Sequence, residues 1–325
     1  MTEVDSCADP AVLRGRGRHH GSWFMYCTTD PLSDDDVDEA GELRFRPVPM
    51  LRSRDLTHWT YVGDALPAPP SWAAPGAGLW APDVVYSEAT GRYYLTFGVT
   101  DTDDGLRGPG ACASTTDNAI GVAVASSPTG PWTVADEPLV PPRPDPEAAC
   151  AFFWTYDPDV LGDAVGRAST LYYGSYYGGV HAQRIVLDED GARLTGAARR
   201  IAIGNRYEGT NVVRRKGWYW YFGSATNCCN GPLTSYGVFA ARSRSPLGPF
   251  RDRSGHTLLE GRVGGTPVLL PNGNRWVGGR AQLGVQGRRR TVVDRLPRRR
   301  PSRPVLRAAT GHHQAAGAAG PADVA

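Results

Sequence analysis

A chain of 325 residues with 41% hydrophobic and 21% charged residues holds enough apolar material for a large core in one or two domains, which excludes a disordered chain. Its net charge of +2 conceals an asymmetry: from Arg280 onward ten Arg stand against Asp294 and Asp323, and the body before them is acidic, so nucleic acid is excluded as a partner of the body. No apolar run approaches the roughly 20 residues that span a bilayer, and no charged and apolar leader precedes Asp9, so the chain as written reads as soluble and cytoplasmic; a monomer is expected.

The 40 Gly and 27 Pro, set among abundant Tyr, Trp, Val and Thr, favour many short strands joined by turns over long helices. The first unit runs from Cys7-Ala8-Asp9-Pro10 through the aromatic strand Trp23-Phe24-Met25-Tyr26-Cys27 to Arg52–Trp59. Between these, Asp34-Asp35-Asp36-Val37-Asp38-Glu39 reads as a solvated loop, since its Gly spacing does not suit a calcium loop. The second unit opens at Leu79-Trp80-Ala81-Pro82-Asp83, passes through Arg92–Phe97 and ends in SSPTGPW at Ser126–Trp132. The third opens at Tyr156-Asp157-Pro158, behind the aromatic cluster Phe152-Phe153-Trp154, and continues through Leu171–Tyr177. The fourth opens at Tyr207-Glu208-Gly209, passes through Trp218–Ser224 and ends in SRSPLGPF at Ser243–Phe250, a near-copy of the earlier turn.

Six cysteines, Cys7, Cys27, Cys112, Cys150, Cys228 and Cys229, show no CxxC spacing, which argues against a thiolate metal cluster. Cys112 and Cys150 are placed to staple the region between them if the protein is exported, whereas adjacent Cys228 and Cys229 are poorly placed to bond each other.

Carboxylates at Asp9, Asp83, Asp157 and Glu208 each precede an aromatic strand, at spacings of 74, 74 and 51 residues. An isolated Asp-Pro is a turn signal, as at Asp30-Pro31 and Asp145-Pro146. A pattern repeated with short strands and turns instead describes an all-β propeller of four-stranded blades. Its innermost strands line one axis, so these distant carboxylates become neighbours; a β-sandwich would scatter them. Two acidic groups across a cleft, one protonated, are the equipment of glycoside hydrolysis, and a third raises the pKa of the acid by repulsion. For Asp83, followed by a plain Val-Val strand, a purely structural role has equal standing.

These residues resemble glycoside hydrolase family 43, five-bladed propellers acting on arabinan and xylan, within it the branch of arabinan endo-1,5-α-L-arabinosidases. The resemblance runs from Cys7 to about Val277 and rests on Ala8-Asp9-Pro10, Leu79-Trp80-Ala81-Pro82-Asp83, Asn118–Ala123, Asp157-Pro158, Glu208-Gly209 and Asn227-Cys228-Cys229-Asn230-Gly231. It implies Asp9 as general base, Asp157 as modulator of the acid's pKa, Glu208 as general acid and an inverting mechanism. Trp80, Asp83, Tyr156 and Tyr176 are the expected sugar contacts, and arabinan or an arabinoxylan-type oligosaccharide is the expected partner. An extracellular location follows from the same resemblance. Alternatives are a catalytically impaired carbohydrate-binding propeller and an exo-acting arabinofuranosidase or β-xylosidase.

The chemistry is expected to need no cofactor. Relatives of this branch carry Gly-His-Asn in the fifth blade, whose His helps hold a central ion, usually calcium; this chain has no such His, so a structural calcium is expected to be held weakly, with ligands unassigned. After Trp276 there is no aromatic residue, although 31 precede that point or stand at it. The expected division is therefore a propeller domain over 1–277 and an Arg/Ala/Gly-rich tail over 278–325, a remnant of an incomplete fifth blade. With 34 Arg and a single Lys, the composition suggests a GC-rich gene, and a one-base shift of reading frame near Arg280 permits a segment beginning Gly-His-Asn.

Overall fold

The computed structural model describes residues 4–103, 117–162, 168–226, 235–261 and 264–271, together with the backbone of 284–286 and 292–294. Four sheets of four antiparallel strands follow one another along the chain. Blade I is β1 (Ala11–Arg14), β2 (Trp23–Tyr26), β3 (Pro49–Ser53) and β4 (Thr60–Asp64). Blade II is β5 (Leu79–Ser87), β6 (Arg92–Val99), β7 (Ala119–Ala125) and β8 (Thr133–Val134). A short hairpin, β9 (Arg143–Pro144) and β10 (Phe152–Phe153), precedes blade III, which is β11 (Asp159–Leu161), β12 (Ser169–Tyr173), β13 (Val180–Leu187) and β14 (Ala192–Ala202). Blade IV is β15 (Tyr207–Arg215), β16 (Trp218–Ala225), β17 (Gly237–Ser243) and β18 (Thr266–Leu269). Each blade is a meander in which sequential strands pair, as short strands joined by tight turns require.

The first strands adjoin in order, β1 to β5, β5 to β11 and β11 to β15, so they surround one axis as in a propeller. Beyond blade IV the described backbone adds only the two-stranded β19 (Gly284–Gln286) and β20 (Val292–Asp294). Strand β19 lies beside β15, the place a fifth inner strand takes. Among the described residues four blades are complete and a fifth is not.

The aromatic second strands of the two middle blades, β6 and β12, are buried on both faces because these blades are covered on two sides, whereas β2 and β16 are only partly buried. Phe24 and Tyr26 pack with Leu79, Leu95, Phe97 and Trp132 between blades I and II. Ile120, Val160, Leu171 and Tyr173 fill the space between II and III, and Tyr172, Ile201, Val212, Tyr221 and Phe250 that between III and IV. The two near-copied turns take one conformation, with Gly130 and Gly248 at positive φ before a cis proline, and their terminal aromatics, Trp132 and Phe250, are buried. Each turn is also gripped by the preceding blade: the Tyr26 hydroxyl donates to the Pro128 carbonyl and the Tyr172 hydroxyl to that of Pro246, at 2.9 Å. The repeated turn is thus an interlock between neighbours.

The acidic stretch 34–39 is exposed, as expected of a solvated loop, except at Asp36. Asp36 is buried and accepts from Arg46 Nε at 2.6 Å, Arg46 Nη2 at 2.7 Å and Leu32 N at 3.1 Å. The Arg46 guanidinium holds its carboxyl below the usual range.

Candidate active site

The site forms where the chain enters blades I, III and IV, and the backbone there is unusual. Asp9 and Asp157 have φ of 45° and 54°, a region that costs a non-glycine residue energy and is tolerated where the surroundings over-determine it. In both cases proline follows and the inner strand begins one residue later, so the carboxylate is turned from the sheet toward the axis. Glu208 lies on β15 opposite Ser224, just before a break in the β15–β16 register.

The three carboxylates converge. Asp157 is pushed up to about 6, first by burial and then by the charges of Asp9 and Glu208, as like charges around a desolvated carboxyl require. Its Oδ2 accepts the Gly209 N–H at 2.8 Å, which ties it to the residue after Glu208. Asp9 Oδ2 accepts from the Thr28 hydroxyl at 3.1 Å, and that hydroxyl accepts the Ala81 N–H at 2.9 Å, so blade II braces the carboxylate of blade I. Glu208 is gripped at both oxygens: Ser175 Oγ donates to Oε2 at 3.3 Å and the Tyr236 hydroxyl donates to Oε1.

Aromatic faces border these groups. Trp80 lies 5.6 Å from Tyr156 between ring centroids, and Trp154 lies 5.8 Å from Tyr176. Trp80, Trp154 and Tyr176 are 37%, 40% and 39% exposed, far more than core aromatics, so their faces are free to meet a ligand. Tyr156 precedes Asp157 directly and fits over the sheet because Gly98 carries no side chain; a Cβ there would lie 3.0 Å from the Tyr156 ring and 3.4 Å from the Trp80 carbonyl oxygen. The loop bearing Trp154 and Tyr156 is held by Arg143, whose Nε donates to Thr155 Oγ1 at 2.9 Å and whose Nη2 donates to the Trp154 carbonyl at 3.3 Å.

Asp9, Asp157, Glu208, Trp80, Tyr156 and Tyr176 therefore fall in one region, and Asp83 does not share their place. The backbone equivalent of Asp9 and Asp157 in blade II is Ala81, at φ 43° and followed by Pro82. Asp83 corresponds to Asp159 instead. Its Oδ2 accepts the Val160 N–H of blade III at 2.7 Å, as Asp159 Oδ2 accepts the Val212 N–H of blade IV at 2.9 Å. Burial raises both carboxyls, and the charge of Asp83 raises Asp159 further. Asp83 thus clasps the inner strands of blades II and III, the structural role that stood beside a sugar contact in the sequence.

Thr28, Ser175 and Tyr236, which also border the site, carry no signal in the sequence, whereas Trp154 stands in the aromatic stretch before Asp157. The disulfide between Cys7 and Cys27 was not foreseen either, although it closes the hairpin that presents Asp9 and Thr28. Cys150 is disulfide-bonded; its partner, and with it the expected role of Cys112, lies outside the described residues, as do Cys228, Cys229 and the segment expected to replace the fifth-blade His. Among the described residues no group of three or more His, Cys, Asp or Glu is arranged to hold a metal ion.

Comparison with known proteins adds a family model, described as glycosyl hydrolases family 43, that matches residues 39–283. An extracellular endo-α-(1→5)-L-arabinanase of Bacillus subtilis is 30% identical over 253 residues, covering 74% of this chain and 70% of the relative. An arabinan endo-1,5-α-L-arabinosidase of Emericella nidulans is 29% identical over 226 residues, covering 66% of this chain and 64% of that one. Among solved structures, an endo-arabinanase of Bacillus licheniformis superposes with a TM-score of 0.64 at 26% identity, covering 86% of this chain and 85% of its own.

Proposed function

Because the chain belongs to glycosyl hydrolase family 43 and is a glycosidase acting on O-glycosyl bonds, we propose that it hydrolyses the α-L-arabinofuranosidic linkages of arabinan or a related plant polysaccharide by inversion. The observation that carries this reading is the meeting of Asp9, Asp157 and Glu208 from three blades beside exposed Trp80, Trp154 and Tyr176. The names of its arabinan-cleaving relatives support the substrate class.

In this scheme Glu208 protonates the oxygen of the departing sugar while the C–O bond breaks, and its electron pair passes to that oxygen. Asp9 takes a proton from the water that attacks the opposite face of the anomeric carbon. Asp157, fixed to Gly209, keeps negative charge near the acid and favours its protonated form. The aromatic faces hold the sugar rings.

The test is Glu208→Gln. Turnover of linear arabinan is expected to fall by about 10²- to 10⁴-fold, and that of an aryl arabinofuranoside, whose leaving group needs no proton, by far less. Equal losses on both substrates remove Glu208 from the role.

The Cys7–Cys27 disulfide supports an oxidising, extracellular setting, in keeping with the relative named extracellular. The incomplete fifth blade favours a second reading, a propeller that binds arabinan without cleaving it. Retained binding of arabino-oligosaccharide with no release of reducing ends distinguishes it.

A further inference from the structure

A carboxylic acid has two oxygens, and a general acid works only if its proton sits on the one that faces the leaving group. In this site the two oxygens of Glu208 have different neighbours. Oε1 accepts from the hydroxyl of Tyr236, a nearly fully buried residue at the entry to β17. Oε2 lies 3.3 Å from Ser175 Oγ, in the loop after β12, and Ser175 also hydrogen-bonds the Asp157 carboxyl. One hydroxyl thus touches both carboxyl groups but has a single hydrogen.

We propose that Tyr236 and Ser175 are the positioning residues of the acid, Tyr236 fixing Oε1 as an acceptor so that the transferable proton resides on Oε2 beside Ser175. A phenol is a far better donor than acceptor toward a carboxyl oxygen, so Oε1 is the unprotonated oxygen. With the proton on Oε2, Ser175 accepts from Glu208 and gives its own hydrogen to Asp157. When the proton passes from Oε2 to the glycosidic oxygen, the new charge on Glu208 is met by the Tyr236 donor at Oε1, and the Ser175 hydrogen is free to turn to Oε2. Both bonds strengthen as the carboxylate develops, so they act on the transition state more than on the ground state. Among the described residues the titratable groups that interact with this assembly are Asp157 and, through it, Asp9, Tyr156 and Tyr221.

This inference rests on Glu208 being the acid, and its test separates the two claims. The full chain, labelled with ¹³C at the glutamate carboxyl, is titrated by NMR, with Glu208→Gln assigning the resonance. Tyr236→Phe removes a donor that favours the ionised form, so the titration midpoint of Glu208 is expected to move to higher pH; Ser175→Ala is expected to move it the same way by less. In parallel, Tyr236→Phe should lower kcat on linear arabinan by about 10- to 100-fold, the effect of losing a hydrogen bond to a charged group, with KM changed by less than about 3-fold. The loss on an aryl arabinofuranoside should be smaller by at least about 5-fold.

A midpoint unmoved in Tyr236→Phe overturns the proposal, as do equal losses on the two substrates. If Tyr236→Phe does not fold, the Ser175→Ala titration decides by the same criterion. The titration reads the hydrogen bonds whether or not Glu208 is the acid, while the acid role itself falls only if Glu208→Gln costs both substrates equally.

Discussion

Asp157 sits where a carboxylate is least comfortable, half-buried at the axis with Asp9 and Glu208 beside it, and its pKa, pushed up to about 6 from an ordinary 3.8, follows from desolvation first and those two charges second. The folded state therefore holds this proton more tightly than the unfolded chain does. Its contribution to stability is fully present below about pH 4 and is lost as pH rises through about 6. Asp157→Asn removes that dependence while leaving an oxygen to accept the Gly209 N–H. Thermal melts should show the variant gaining on the parent by roughly a few degrees at pH 7 relative to pH 4, while arabinan turnover falls by about 10²-fold or more. A gain that is the same at both pH values would show that the charge at 157 carries no such penalty. The residues of this site were unequally legible in sequence. Asp9, Asp157 and Glu208 stood out because each opens a unit of a repeat, whereas Ser175 and Tyr236 lie at strand ends whose approach to Glu208 is set only by the packing of blades III and IV.

At the scale of the element, inner strands are held together by carboxylates that face sideways. Asp159 accepts the Val212 N–H at 2.9 Å and Asn211 Nδ2 at 2.7 Å. Asp159→Ala removes the acceptor of the buried Val212 N–H and should cost about 1–3 kcal/mol in denaturant unfolding, while Asp159→Asn, which retains an acceptor, should cost about half as much or less. A near-neutral alanine variant would contradict the clasp. Asp83 makes the corresponding bond to Val160, so Asp83→Asn is expected to leave KM for arabino-oligosaccharides within about 2-fold, a steady-state measurement that separates a clasp from a sugar contact. The blades themselves were readable from the recurring aromatic strands and from the SSPTGPW and SRSPLGPF turns, since alternation, turn residues and spacing are local properties of the chain. The even spacing of 74 residues misled at Asp83, because it counted acidic side chains, whereas the fold counts the positive-φ residue before proline, which in blade II is Ala81.

The whole molecule depends on a ring in which every blade covers its neighbours, and here four blades are complete while β19 and β20 form a short hairpin beside β15. A tail without aromatics supplies little of the apolar area, worth roughly 25 cal/mol per Å², that a fifth blade buries. We propose that the segment from 278 is a frame-shifted remnant of that blade. Restoring the segment that begins Gly-His-Asn should raise the melting temperature and arabinan turnover together, and add a calcium-dependent component to stability visible in melts with and without chelator; equal melting and equal turnover of the two chains would mark the tail as native. The central claim, inversion by Asp9 and Glu208, meets its most direct test in the anomer first released. ¹H NMR of the full chain acting on α-1,5-linked arabino-oligosaccharide should show β-arabinofuranose ahead of mutarotation, and α-arabinofuranose appearing first, or no release at all, would contradict the account.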